Sequence, residues 1–124
     1  MSHKSIKKVN LKEKFDTFSE HWSPRIAGEL NGQHVKLVKA QGEFVMHQHD
    51  NEDEMFMVIE GQLLMELEGE TLEINAGEFV IIPKGTQHKP IAPVETKLML
   101  FEPNTTINTG NTENAFTVMK PGRI

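Results

Sequence analysis

Apolar positions follow two successive rhythms along the chain. Leu11, Phe15, Phe18 and Trp22 recur at intervals of four, three and four residues, which is one stripe of a helix, before Pro24 interrupts it. Asn10 and Glu13 stand at the spacing of a capping box, in which the Asn side chain accepts from an N-terminal amide and the Glu reaches back. The pattern predicts a short helix starting there, with its stripe in the core or against another subunit. After Pro24 the rhythm becomes that of short β segments at 35–40, 44–49, 55–59, 63–67, 71–74, 79–82 and 97–101. Asn31-Gly32 fits the tight hairpin turn whose two central residues need positive φ, and Gly42, Gly61, Gly69, Gly77 and Gly85 punctuate the rest. Seven or eight short strands with no helix between them predict an all-β sandwich or barrel. We therefore divide the chain into an N-terminal arm with a short helix (1–24), a β domain (25–103) and a C-terminal tail (104–124). The tail is Asn- and Thr-rich up to Asn114 and then reads Ala115-Phe116-Thr117-Val118-Met119. That composition leaves open a solvated linker to a last strand, an arm packed on a partner subunit, and a poorly ordered end.

Composition narrows the chemistry. A chain of 124 residues, 37% hydrophobic and 25% charged, is that of one globular domain. The absence of cysteine excludes disulfides, thiolate nucleophiles, iron-sulfur clusters and thiolate zinc sites, so any metal must be held by imidazole or carboxylate. Tyrosine is absent too, which removes phenolic acid-base chemistry. With 13 Lys and Arg against 18 Asp and Glu, the net charge of -5 argues against nucleic acid as a partner. The charged N-terminal stretch lacks the apolar run of a signal peptide and no segment is apolar for long enough to span a bilayer, so a cytoplasmic protein with no membrane partner is expected.

Six histidines occur, and three of them fall into a pattern. His47 and His49 are separated by one residue in a strand-like segment, which projects both rings from one face, close enough to share an ion. The acidic run Asp50-Asn51-Glu52-Asp53-Glu54 follows at once and supplies carboxylates. About forty residues later His88 follows the turn Pro83-Lys84-Gly85-Thr86-Gln87, which could fold a third imidazole onto the pair. His3, His21 and His34 have no such company and are expected in surface or capping roles. Spacing alone leaves open which of the acidic residues would join the imidazoles.

Two segments carry a family resemblance. Gly42, four residues, His47-Gln48-His49, four residues, Glu54, six residues and Gly61 resemble the first cupin motif; Gly77, five residues, Pro83-Lys84-Gly85, two residues and His88 resemble the second. The first motif usually has five residues between its glycine and first histidine, and the second commonly ends in asparagine where Ala92 stands here; neither departure removes a ligand. The resemblance implies a double-stranded β-helix, or jelly roll, with a metal site in its mouth. It also implies His47, His49 and His88 as imidazole ligands and Glu54 as the carboxylate ligand of one divalent transition metal ion. An N/O donor set suits Fe, Mn, Ni, Zn and Cu alike.

Phe44, Phe56, Leu64, Phe79, Met99 and Phe101 are candidates to line a cavity near the metal, with Met55, Met57 and Met65 as adaptable packing. Lys84, Lys89 and Arg25 are candidates for recognising an anionic substrate. Two functions follow. One is a metal-dependent enzyme, of isomerase, dioxygenase or lyase type, acting on a small oxygenated metabolite. The other is a non-catalytic module that binds or senses a small ligand, and fold does not separate the two. The apolar N-terminal stripe and open sheet edges, with the habit of cupins, lead us to expect a homodimer.

Overall fold

The computed structural model describes residues 6–124. Asn10 caps helix α1 (Leu11–Phe15) by accepting from the Glu13 amide at 3.0 Å, but the helix runs for only five residues. The stripe that read as one helix is split in two. Phe15 and Phe18 pack on Leu37 against the outer face of the sheet, whereas Trp22, at φ 57, turns into the barrel and stacks on Phe44 with ring centroids 4.9 Å apart. The stripe is therefore satisfied within its own chain.

Eight strands follow: β1 (Arg25–Leu30), β2 (Gln33–Glu43), β3 (Glu54–Glu60), β4 (Gln62–Leu67), β5 (Glu70–Asn75), β6 (Phe79–Ile82), β7 (Lys89–Pro103) and β8 (Gly122–Arg123). The β1–β2 hairpin closes on Asn31 and Gly32, both at positive φ (51° and 75°), as the primed turn requires. Strand β7 is the organising element. It pairs with β2 along most of its length, with β4 near its start and with β3 near its end. Strand β5 extends one side through β4, and β6 the other through β3. The register of β2 on β7 shifts between Ala40 and Gly42, where the exposed residues Pro93, Val94 and Glu95 are passed over and the ladder bends. The result is an antiparallel jelly roll, with β8 alone running parallel to its neighbour β1.

Side chains alternate about this wall. Val38 and Ala40 of β2, Phe56 and Val58 of β3, Leu63 and Met65 of β4, and Leu98 and Leu100 of β7 fill the interior, each fully burying apolar surface worth about 1.5–3 kcal/mol for the larger residues. The opposite parity faces outward, which corrects part of the expected cavity lining. Phe79 is 59% exposed, Met99 packs under α1, and Leu64 and Phe101 lie on half-buried outward positions. Gly61 turns the chain from β3 into β4 at φ 98°, and a Cβ there would lie 2.5 Å from Thr96 Oγ1.

The C-terminal tail lies on its own barrel. Asn108 brackets it, donating from its side-chain amide to Phe116 O and accepting from the Val118 amide, both at 2.8 Å. The Asn111 amide donates to Gln48 O at 3.1 Å, and Phe116 sits 5.4 Å from Phe44. Gly110 fits against Gln48 so closely that a Cβ would come within 2.1 Å of its carbonyl oxygen. Residues 104–119 thus form a strap over the segment that carries His47 and His49.

Candidate metal centre

The segment 44–49 is not the continuous strand that its pattern suggested. It makes one isolated antiparallel bridge, in which His47 N donates to His88 O at 3.0 Å and His88 N donates to His47 O at 2.8 Å. The bridge sets the two imidazoles side by side, with centroids 4.2 Å apart, and the i,i+2 spacing brings His49 to 5.0 Å from His47. Glu54, first residue of β3, points inward with Phe56 and Val58 as its parity predicts. Among the described residues, His47, His49, Glu54 and His88 each offer a ligand atom, all within 4.8 Å of one another, and all four residues are buried.

The acidic run resolves by direction. Asp50 accepts from Gln48 Nε2, Asp53 from the Lys84 amide and Glu52 from Thr105 Oγ1, all outside the cluster. Only Glu54 turns in. Its Oε1 lies 3.2 Å from His49 Nε2 and 3.3 Å from His88 Nε2. The Gly85 amide donates to His49 O at 2.7 Å, tying the turn before His88 to the first motif.

Hydrogen bonding behind the rings fixes which nitrogen faces the centre. His47 Nδ1 and His88 Nδ1 each lie 2.9 Å from a carbonyl, of Val45 and Thr86 respectively, so each Nδ1 donates and each Nε2 lone pair is left pointing inward. Burial, then the neighbouring His88, lowers the His47 pKa to about 4, which keeps the ring neutral and able to ligate. Burial alone would push Glu54 up, but His49 and His88 beside it outweigh burial and hold its carboxyl well below the usual range. His47 Nε2, both nitrogens of His49, Glu54 Oε1 and His88 Nε2 are buried without a hydrogen-bond partner among the described residues. Each such orphan costs about 1–3 kcal/mol, and their convergence is what a cation would satisfy. The cluster could hold one metal ion.

Two buried charges were not foreseen in the sequence. Lys36 and Glu102 are 2% and 1% exposed, with Nζ and Oε2 3.6 Å apart, and Lys36 also donates to Thr106 O at 3.2 Å. Glu102 lies beside Glu54, each one position past the Met55–Phe101 pair on its strand. Burial, followed by the charge of Glu54, raises the Glu102 pKa well above the carboxylate range. A signal existed: Lys36 shares parity with Val38 and Ala40, and Glu102 with Leu98 and Leu100, which places both on the inner face. The remaining candidates lie elsewhere. Lys89 pairs with Glu43, Arg25 with Glu20, and Lys84 is exposed on its turn. His21 contacts Glu95 at 2.8 Å near the surface, whereas His34 is buried beside Glu29, contrary to the surface role expected of it. His3 lies outside the described residues. Among the described residues no helix is long and apolar enough to cross a membrane.

An antiparallel jelly roll with three imidazoles and one carboxylate clustered in its interior defines a class of small β-barrel proteins whose buried side chains could hold one metal ion. The chain belongs to the cupin family, whose Cupin_2 domain model matches residues 33–107. It is 37% identical over 93 residues to the uncharacterised protein YdbB of Bacillus subtilis, covering 74% of this chain and 76% of that one. Among solved structures, it is similar to a cupin-2 domain containing protein from Shewanella frigidimarina (46% identity, TM-score 0.77, 77% of this chain and 94% of the other). It is also similar to protein NMB1881 from Neisseria meningitidis (28% identity, TM-score 0.73, 79% and 100%).

Proposed function

We propose that this cupin is a metal-dependent enzyme acting on a small oxygenated metabolite, with His47, His49, Glu54 and His88 holding one divalent transition metal ion. The observation that carries the reading is the set of orphaned ring nitrogens and one carboxylate oxygen, with one ligand atom from each of the four residues within 4.8 Å of the others. A bound ion would supply Lewis acidity, and four protein donors leave room for a substrate oxygen in an octahedral sphere. The chain's own contribution is positional: Val45 O and Thr86 O hold two rings in one tautomer, and the strap packs on the segment that carries His47 and His49. One observation favours the non-catalytic module instead. The cavity beside the centre offers no titratable side chain beyond His47 and Glu54. Metal-loaded protein should turn over members of a panel of hydroxy acids, diketones and sugars, followed by oxygen uptake or by isomer analysis. Tight ligand binding with no turnover of any member would favour the module.

We further propose a homodimer. With the α1 stripe used internally, the support comes from β6, where Phe79 and Ile81 are 59% and 56% exposed beside Met57 and Met55 of β3. Sedimentation should give twice the 14.1 kDa chain mass; a monomer mass at micromolar concentration would overturn this.

A further inference from the structure

The three imidazoles of the cluster are not held alike. His47 and His88 each give their Nδ1–H to a carbonyl, of Val45 and Thr86, at 2.9 Å. His49 is 3% exposed, its Nε2 lies 3.2 Å from Glu54 Oε1, and its Nδ1 has no hydrogen-bond partner among the described residues. With Nε2 turned to the centre as a ligand atom, Nδ1 carries the ring proton and is a donor that lacks an acceptor. His49 also differs in what it borders. His47 and Glu54 line the small interior cavity, whereas His49 lines a separate hollow of about 140 Å³ between the acidic turn and the strap. Asp50, Asn51, Thr105 and Asn111 are exposed around this hollow, and His49 is buried beneath them. At roughly 30 Å³ for each water, it has room for about five, which is the bulk of a four-carbon polyol.

The chemistry of the hollow is one-sided. Among the described residues no Lys or Arg lines it, but the carboxylates of Asp50 and Glu52 do. Asp50 Oδ1 accepts from Gln48 Nε2 and Glu52 Oε2 from Thr105 Oγ1, which leaves Asp50 Oδ2 and Glu52 Oε1 free to accept from a ligand. An anion would meet these carboxylates with no counter-charge. An ammonium group only donates, so it would leave His49 Nδ1–H unanswered. A hydroxyl both donates and accepts, and so answers the carboxylates and the imidazole alike.

Resting on the metal-centre reading above, we propose that the hollow over His49 is a binding site for a small neutral polyhydroxyl compound. One hydroxyl accepts from His49 Nδ1 and others donate to Asp50 and Glu52. The ligand thereby completes, from outside the barrel, the hydrogen bonding that Val45 O and Thr86 O supply to the other two imidazoles.

Zinc-loaded, nitrogen-15-labelled full-length protein titrated with erythritol should show magnetic-resonance shifts of the Asn51 and Asn111 backbone amides and of the His49 Nδ1–H, with the Val58 and Leu98 amides of the core unmoved. Butane-1,4-diol, the same carbon chain with two hydroxyls fewer, should bind about tenfold more weakly, as the loss of two hydrogen bonds implies. Glu52→Ala should weaken erythritol by roughly tenfold while zinc affinity stays unchanged, because the Glu52 carboxylate is directed to Thr105 and away from the cluster. Equal or tighter binding of butane-1,4-diol or of 1,4-diaminobutane at these amides would overturn the inference, as would undiminished erythritol binding by Glu52→Ala. Erythritol that leaves the His49 Nδ1–H signal unmoved would show a hollow that holds water only, and overturns it too. These outcomes in protein that takes up zinc leave the metal reading standing. Failure of the wild-type protein to take up zinc overturns that reading, and this inference with it.

Discussion

His88→Ala protein is expected to lose zinc affinity by more than about 100-fold, beyond the 10–100-fold typical of losing a group that merely supports a ligand. The imidazole of His88 is fully buried, its Nδ1 is spent on Thr86 O, and its Nε2 has no hydrogen-bond partner among the described residues. The backbone bridge to His47 uses main-chain atoms and survives the substitution, so the jelly roll should persist. His21→Ala, on the surface beside Glu95, is the matched control and should bind as wild type. Calorimetric titration checks both proteins, with far-ultraviolet dichroism to verify the fold. Undiminished zinc binding by a folded His88→Ala variant would remove His88 from the ligand set.

The largest loss of stability is expected from Lys36→Met, at about 3–5 kcal/mol, the usual cost of breaking a buried pair from one side. Met matches the stem of Lys but leaves the Glu102 carboxyl, 1% exposed, with no counter-charge. Glu102 can relieve part of this by taking up a proton. Because its pKa in the fold is raised, the folded chain holds that proton more tightly than the unfolded chain. The stability it confers is present at and below about pH 4.5, its ordinary value, and is lost as pH rises through the raised value. Urea unfolding should therefore find Lys36→Met more impaired at pH 8 than at pH 5, roughly following that linkage. The double variant Lys36→Met/Glu102→Leu, which removes both charges, should recover most of the loss. A single variant as stable as wild type would show that the pair contributes nothing.

The sequence made the architecture readable because the interior of a jelly roll is built by alternation. Glu54, Phe56 and Val58 face inward as their parity predicts, and Asn31-Gly32 closes the expected hairpin. The metal cluster was legible from His47-Gln48-His49 and the two motif spacings, although physics alone left the acidic residue undecided until the loop was seen to direct Asp50, Glu52 and Asp53 outward. Three features were hidden for physical reasons. Trp22 keeps helical spacing from Phe18 but belongs to the barrel, because its spacing cannot reveal a residue at positive φ. Residues 44–49 have the composition of a strand yet pair only once, since their neighbours are the turn before His88 and the strap. Lys36 and Glu102 are charged residues on an inward parity, and average preference places such residues outside.

Strand β7 has a consequence for how the molecule comes into being. It is 15 residues long, begins at Lys89, and is the shared partner of β2, β3 and β4. A nascent chain that has emerged only as far as Ile82 can close the β1–β2 and β4–β5 hairpins and pair β3 with β6, yet no two of these units have a strand between them. Their apolar faces must wait on the ribosome for the late strand, and such non-local pairing is slow. Assembly of this protein is therefore close to all-or-none in time, and a chain truncated before residue 89 should be a substrate for chaperones and proteases, not a smaller domain.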